Sequence, residues 1–263
     1  MSGKTWVIPA DTPLPTKGKK IIYPLLRRLR EEKEGRTSGG IYHRTQIDLT
    51  YNSNHIEGSR LTHEQTRFIF ETNTIGISDE SVNVDDIVET TNHFRCIDLI
   101  IDRADEKLSE SLIKDLHRTL KTGTTDSNKT WFNVGEYKKL PNEVGGNETC
   151  PPEEVAARMK MLLRDYNAKP QKTLEDILDF HQKFEAIHPF QDGNGRVGRL
   201  IMFKECLASG IVPFIITEDL KLFYYRGLSE WGLINGYLID TCLTAQDNYK
   251  VLLDYFKITY RRS

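Results

Sequence analysis

One short segment concentrates the residues of this chain that could do chemistry. Ile187 to Leu200 reads I-H-P-F-Q-D-G-N-G-R-V-G-R-L. Pro189 disfavours helical backbone angles at the residue before it, so a helix should end there and leave the His188 imidazole at its end. An imidazole has a pKa near neutrality and can accept a proton from a reacting group. His188 is therefore a candidate general base.

The residues that follow favour the binding of an anion. Asp192 to Gly195 should form a tight turn, because Gly and Asn tolerate positive φ and consecutive amides can point inward together. A helix that begins after this turn would direct its N-terminal amides and the positive end of its dipole at the same point. Arg196 and Arg199 share one face beside that end. The predicted phosphate site also uses the backbone amides of Gly193, Asn194 and Gly195.

Asp192 adds a hard carboxylate oxygen to this segment. Mg²⁺ prefers such a ligand when phosphates and water supply most of its other contacts. A calcium loop is a poor alternative, because the twelfth position would be Phe203 rather than a bidentate carboxylate. The sequence therefore predicts Asp192 as a ligand of Mg²⁺.

Two other interpretations of the segment remain open. Gly193, Gly195 and Gly198 match the dinucleotide-binding fingerprint as a string, but that motif must follow a β-strand, and here a helix and a His-Pro pair precede it. A polar turn between two helices, with solvated arginines, explains any one of these residues. It does not explain the whole set.

Composition limits the possible partners. The chain has 263 residues, 38% of them hydrophobic, with 36 basic and 38 acidic side chains. This length suits one large domain or two small ones, and the balanced charge offers no electrostatic footprint for nucleic acid. Apolar runs fall far short of the ~18 residues that a membrane span needs, and the N-terminus has no apolar stretch typical of a secretory signal. We expect a cytoplasmic protein with reduced cysteines that binds neither membrane nor nucleic acid.

Helical periodicity dominates the rest of the chain. Apolar residues recur at steps of three and four, and Thr62/Gln65 and Thr173/Asp176 resemble capping boxes. Gly58 suits a left-handed helix cap. The predicted helices are Ile22 to Leu29, Tyr42 to Glu57, Thr62 to Phe70, Val84 to Ile101, Leu112 to Leu120, Val155 to Leu163, Leu174 to Phe184, Gly195 to Ser209, Asp219 to Leu233 and Ala245 to Tyr260. Glycines and prolines interrupt this pattern between Lys121 and Pro152, which predicts an all-α bundle with one protruding hairpin or loop.

His188 to Arg199 resembles the complete signature of Fic domains, H-x-F-x-[D/E]-G-N-G-R-x-x-R. The resemblance implies an all-α helical bundle with a small β-hairpin flap at about residues 131–146. It also implies a catalytic domain over residues 81–263. Residues 1–80 would form a helical extension that contains an inhibitory helix at about 42–58.

The resemblance to Fic domains also implies an activity, the transfer of AMP from ATP to a hydroxyl group of a Ser, Thr or Tyr side chain in a target protein or in the chain itself. His188 would be the catalytic base and Asp192 would hold Mg²⁺ between the α- and β-phosphates. Arg196 and Arg199 would bind the outer phosphates. Phe190 would anchor the loop to the core.

Ser53-Asn54-His55-Ile56-Glu57-Gly58 resembles the autoinhibitory motif of Fic proteins, [S/T]-x-x-x-E-[G/N]. Glu57 would form a charge-assisted pair with Arg199, bidentate if the geometry allows, in the place needed by the γ-phosphate. Ser53 is the first residue of this motif. The same glutamate could instead align a water molecule that removes AMP from a modified target.

Other expectations from the family resemblance are less specific. Tyr225 would contact adenine, although a buried helix face explains Tyr224 and Tyr225 equally well. His181 lies on an apolar helix face and is interpreted as a core residue. The flap would pair with an extended target segment, and a homodimer could control Glu57. Alternative functions are removal of AMP, transfer from another nucleotide donor, and nucleotide-responsive binding without catalysis.

Overall fold

Helices form most of the structure. The computed structural model describes residues 5–10, 23–76 and 81–262. The helices in these ranges are α1 (Pro24–Glu34), α2 (Ile41–Ile56), α3 (His63–Thr72), α4 (Val84–Asp102), α5 (Glu110–Lys121), α6 (Pro152–Ala168), α7 (Leu174–Ile187), α8 (Asn194–Ser209), α9 (Lys221–Ser229) and α10 (Gly236–Tyr255). The all-α prediction is confirmed. Ile22, assigned above to the first helix, lies outside the described residues.

Two small antiparallel pairs of strands accompany the helices. Near the termini, β1 (Trp6–Val7) pairs with β4 (Arg261–Arg262). The second pair joins β2 (Glu143–Val144) to β3 (Asn147–Glu148). This hairpin lies at the end of the segment predicted as a flap and extends two residues beyond it.

The segment before the hairpin is irregular because it packs against α5 and the loop between α7 and α8 instead of pairing as strands. Phe132 is buried, and the amide of Gly135 donates to Nδ1 of His117 at 2.9 Å. The amide of Lys138 donates to the carbonyl of Pro189 at 2.9 Å. These contacts satisfy backbone groups that a strand would use in a ladder, so the strands begin only at Glu143.

Local signals at the helix ends agree with the structure. Thr62 and Thr173 cap α3 and α7 with reciprocal hydrogen bonds to the residues three positions later. Gly58 follows α2 with φ of 98°, a left-handed angle that glycine adopts without strain.

The last two helices differ from their predicted bounds. Helix α9 ends at Ser229, and α10 begins at Gly236, nine residues before the predicted start at Ala245. A side chain at Gly227 would place its Cβ 2.6 Å from Cα of Leu238, so the two helices approach closely there. Tertiary packing thus supports helix in a segment whose own pattern is weak.

Helix α8 occupies the centre of the fold. All but three of its residues are buried, including four charged side chains: Arg196, Arg199, Lys204 and Glu205. Buried charges need partners, because transferring an unpaired charge out of water is costly. The elements around α8 therefore have to supply carboxylates and polar groups, and this requirement shapes the site below.

None of the described helices combines the length and hydrophobicity that crossing a bilayer requires. The four cysteines all lie in the described ranges as free thiols, three of them buried and Cys150 partly exposed.

Three buried histidines predict that acid weakens the fold. Burial lowers the pKa of His93, His117 and His181 from 6.5 to about 3. Below pH 6.5 the unfolded chain binds protons that the folded chain cannot, so each histidine removes up to about 1.4 kcal/mol of stability per pH unit. Burial also raises the pKa of Glu185 to about 8, and this carboxyl opposes the histidines between pH 7.5 and pH 5.5, so a variant is needed to isolate the effect of one histidine. In His93→Gln, the decrease in the free energy of unfolding between pH 7.5 and pH 5.5, measured by urea titration, should be about 1.4 kcal/mol smaller than in wild type. An unchanged pH dependence would contradict this origin.

Candidate active site

His188 stands at the end of α7, as the sequence predicts. It adopts a left-handed backbone conformation (φ 50°, ψ 62°), and its amide donates to the carbonyl of Phe184 at 2.9 Å. Nδ1 is buried and has no hydrogen-bond partner in the described part of the chain. Burial, and then the charge of Lys138, lower the pKa of His188 below its ordinary value. The imidazole is therefore neutral at physiological pH and able to accept a proton.

The loop after His188 is fixed by side chains beneath it. Asn194 is buried, and its amide group both accepts from the amide of Phe190 at 2.8 Å and donates to the carbonyl of Phe190 at 2.9 Å. Phe190 is fully buried and stacks on His117 with ring centroids 4.0 Å apart. Nε2 of His117 lies 3.1 Å from the carbonyl oxygen of Asp192. These contacts attach the loop to the core and to α5.

Helix α8 starts from this loop at Gly193, whose φ is 79°. The amides of its first turn have no acceptors within the helix, and they carry the positive end of its dipole. A side chain at Gly195 would place its Cβ 2.3 Å from Oε1 of Glu57. The Glu57 carboxylate thus lies directly over the start of α8, where the sequence predicts an anion.

Glu57 and Ser53, both from the end of α2, hold Arg199. Nη2 of Arg199 donates to Oε1 of Glu57 at 2.6 Å and to the carbonyl of Ser53 at 2.9 Å. Nε donates to Oγ of Ser53 at 3.0 Å. The predicted pair between Glu57 and Arg199 is present, but one guanidinium nitrogen makes it, so the contact is not bidentate. Burial would raise the pKa of Glu57, but Arg199 and Arg196 lower it by more, so Glu57 is ionised.

Arg196 belongs to a second charged cluster. It contacts Glu89 of α4 and Asp192, with Nη2 3.3 Å from Oδ2 of Asp192. Lys121, the last residue of α5, contacts Glu89 as well, and its Nζ lies 2.6 Å from Oδ2 of Asp192. Burial would raise the pKa of Asp192, but Arg196 and Lys121 hold it well below its usual range. Asp192 is therefore ionised at physiological pH.

Glu57 and the residues of the second cluster line one cavity of about 320 Å³. Its walls come from the end of α2, the start of α4, the end of α5 and the loop that leads into α8. The charged residues of the two clusters that line it are Glu57, Glu89, Lys121, Asp192 and Arg196. The cavity thus leads to the first turn of α8.

The donor set at Asp192 fits a magnesium ion bound jointly with phosphate. Among the described residues, no three His, Cys, Asp or Glu side chains converge as a metal site. A single carboxylate is what Mg²⁺ uses when nucleotide phosphates and water complete its octahedron. The Asp192 side chain is 47% exposed, so an ion can reach it.

Tyr224 and Tyr225 have different environments. Tyr224 is buried, and its hydroxyl lies 2.6 Å from Nε2 of the buried His181. His181 is therefore a core residue, as predicted. Tyr225 is 42% exposed, with Glu57 and Arg199 near enough to affect its pKa, which burial raises. It lies on the side of the site where Glu57 meets Arg199.

Sequence reasoning missed three residues that organise the site: Glu89, His117 and Lys121. A signal existed for His117, because it continues the apolar stripe of α5 with Leu116 and Leu120 and should therefore be buried. No local signal existed for the other two. Glu89 and Lys121 are 32 residues apart, and each precedes Asp192 by more than 70.

Comparison with known proteins decides the family. Residues 107–206 match the model of the Fic/DOC family, and this range includes His188 to Arg199. The protein adenylyltransferase Fic of Drosophila melanogaster is 31% identical over 187 residues, which cover 68% of this chain and 36% of that protein. This chain is a Fic-domain protein.

Solved Fic structures share the fold. A Fic-domain-containing signalling protein from Bacteroides thetaiotaomicron superposes with a TM-score of 0.65 and 26% identity, covering 88% of this chain and 90% of that one. Fic-1 from C. elegans, 19% identical, has a TM-score of 0.67 and covers 89% of this chain and 72% of that one. The Fic-type helical fold with its small hairpin is thus confirmed. The chain spans about a third of the length of the curated Fic relatives that it matches.

Proposed function

We propose that this Fic-domain protein transfers AMP from ATP to a hydroxyl group of a Ser, Thr or Tyr side chain in a target protein, including itself, and that Glu57 inhibits the transfer. One observation carries the proposal. The neutral imidazole of His188 is close enough to Glu57 and Asp192 for their charges to act on it. These two carboxylates contact Arg199 and Arg196 of α8 and lie beside the amides of its first turn. The adenylyltransferase relatives agree with this activity.

The reaction follows from these positions. His188 would take the proton of the incoming hydroxyl, whose oxygen then attacks the α-phosphorus. The bond from the α-phosphorus to the bridging oxygen of the β-phosphate breaks, and pyrophosphate leaves. The amides of Gly193, Asn194 and Gly195 would stabilise the charge on the phosphate oxygens. Arg196 and Arg199 would bind the outer phosphates, and Tyr225 would contact the adenine.

Asp192 would hold Mg²⁺, with phosphate and water as the other ligands. When bound, this ion neutralises phosphate charge and polarises the phosphoryl group. Asp192 suits this role because it stays ionised and partly exposed. Lys121 and Arg196 have to give up their contacts with Asp192 before the ion binds.

The proposed inhibition has a simple physical basis. The Glu57 carboxylate contacts Arg199 and lies over Gly195, so it presents anionic oxygens where a phosphate would bind. Two anions cannot share this position without strong repulsion. Productive binding of ATP would therefore require Glu57 to move.

A labelling experiment tests the proposed activity. Glu57→Gly protein is incubated with magnesium and ATP labelled on either the α- or the γ-phosphate. We expect the α-label, and not the γ-label, to become covalently attached to protein, with release of pyrophosphate. Retention of the γ-label alone would indicate phosphotransfer and contradict the proposal.

The alternative functions give other outcomes in the same assay. Release of AMP from a previously labelled target by the wild-type protein, and not by Glu57→Gly, without formation of the modification would indicate a hydrolase that uses Glu57. Labelling by another nucleoside triphosphate at a higher rate than by ATP would indicate that this other nucleotide is the donor. Binding of ATP without any transfer would indicate an interaction module.

A further inference from the structure

Lys121 has an unusual position for a lysine. Its side chain is only 3% exposed, whereas lysine is almost never fully buried without a partner. Its ammonium group contacts Glu89 and lies 2.6 Å from Oδ2 of Asp192 and 3.7 Å from Oδ2 of Asp126. It therefore occupies a carboxylate oxygen of the residue that we assign to magnesium.

Carboxylates outnumber cations around the start of α8. Three cations, Lys121, Arg196 and Arg199, contact four carboxylates, Glu57, Glu89, Asp126 and Asp192. A triphosphate brings several more negative charges into this set. The site can accept them only if cations are released from carboxylates or a metal ion is added.

Lys121 is well suited to change partners. An ammonium group is a compact charge with three donors on a flexible stem, so it can exchange one acceptor for another, whereas the guanidinium group of Arg196 is planar and its donors are fixed in direction. Because Lys121 lines the same cavity as Arg196, phosphate oxygens that enter it come within reach of the ammonium group. A divalent ion on Asp192 would repel the ammonium from that carboxylate.

We propose that Lys121 is a further nucleotide-binding residue, which neutralises Asp192 while no metal is bound and transfers to a phosphate oxygen of the nucleotide when a divalent ion binds Asp192. Glu89 keeps the ammonium group beside the site in both states. The inference rests on the proposed function, because it assigns Lys121 to the same triphosphate.

The proposal predicts opposite effects on two ligands. When the ammonium group of Lys121 is removed, the Asp192 carboxylate is free for metal, so the metal alone should bind more tightly. The nucleotide loses one charge-assisted hydrogen bond, so it should bind more weakly. A lysine that only supports the local fold would weaken both, because its loss would disorder the site.

Binding is measured in a Glu57→Gly/His188→Ala background, in which the phosphate site is open and turnover is removed. Lys121→Gln should bind Mn²⁺ alone about tenfold more tightly than the background protein does, as measured by electron paramagnetic resonance. It should bind ATP with magnesium about tenfold more weakly, by calorimetry, as expected for one charged hydrogen bond. Lys114→Gln is the matched control, since Lys114 lies on the same helix in ion pairs with Glu110 and Glu136, and neither affinity should change.

A second variant guards against misfolding. Lys121→Arg keeps the charge, so it should bind Mn²⁺ as weakly as the background protein and recover ATP binding relative to Lys121→Gln. Equal affinities in Lys121→Gln and the background, or a joint loss of both ligands that Lys121→Arg does not recover, would overturn the proposal for Lys121. Failure of the background protein itself to bind ATP would instead contradict the proposed function.

Discussion

Replacing His188 with alanine in the Glu57→Gly protein should lower the rate of AMP transfer by about 10² to 10⁴. The imidazole is neutral at physiological pH because burial and the charge of Lys138 lower its pKa. It can therefore accept the proton of the target hydroxyl. The initial rate of α-label incorporation, at saturating ATP, measures the loss.

The affinity for ATP separates the role of His188 from damage to the site. Because the imidazole acts on the hydroxyl, Glu57→Gly/His188→Ala should bind ATP as Glu57→Gly does. His63→Ala is a matched control, since His63 is half exposed and pairs with Asp48 away from the site. Transfer at an undiminished rate without the imidazole would be incompatible with a general base at this position.

Glu57→Gly should raise AMP transfer, including modification of the chain itself, by about one to two orders of magnitude over wild type. The contact of Glu57 with Arg199 is a charge-assisted hydrogen bond, worth roughly 1.5 to 3 kcal/mol. An equilibrium shifts tenfold for each 1.4 kcal/mol or so, which sets the expected range. Arg199 loses its carboxylate partner but keeps two contacts with Ser53, so the variant should fold, with a lower free energy of unfolding.

Two further variants identify which property of Glu57 inhibits. Glu57→Gln keeps the size and backbone preference but removes the charge, so it should activate nearly as much as Glu57→Gly. Ser53→Ala removes only the hydroxyl contact with Arg199 and should activate less. A folded Glu57→Gly protein with wild-type or lower activity would refute the inhibitory role.

The sequence by itself determined the helical class and the local form of the chemical segment. Thr62 and Thr173 mark helix starts through short-range hydrogen bonds, and Pro189 sets the helix end at His188. Gly193 allows the left-handed turn from which α8 begins. Signals of this kind act over a few residues and can be read from neighbours along the chain. The pair of Glu57 with Arg199 also followed from sequence, but only through resemblance to Fic proteins.

The tertiary structure decided which charges meet. Lys121 and Glu89 reach Asp192 and Arg196 only because α4, α5 and α8 pack together, and no pattern in any one helix indicates this cluster. Packing against α9 likewise extends α10 to Gly236. Burial of charges and close approach of helices depend on the whole fold, because the free energy of each contact is set by partners distant in sequence.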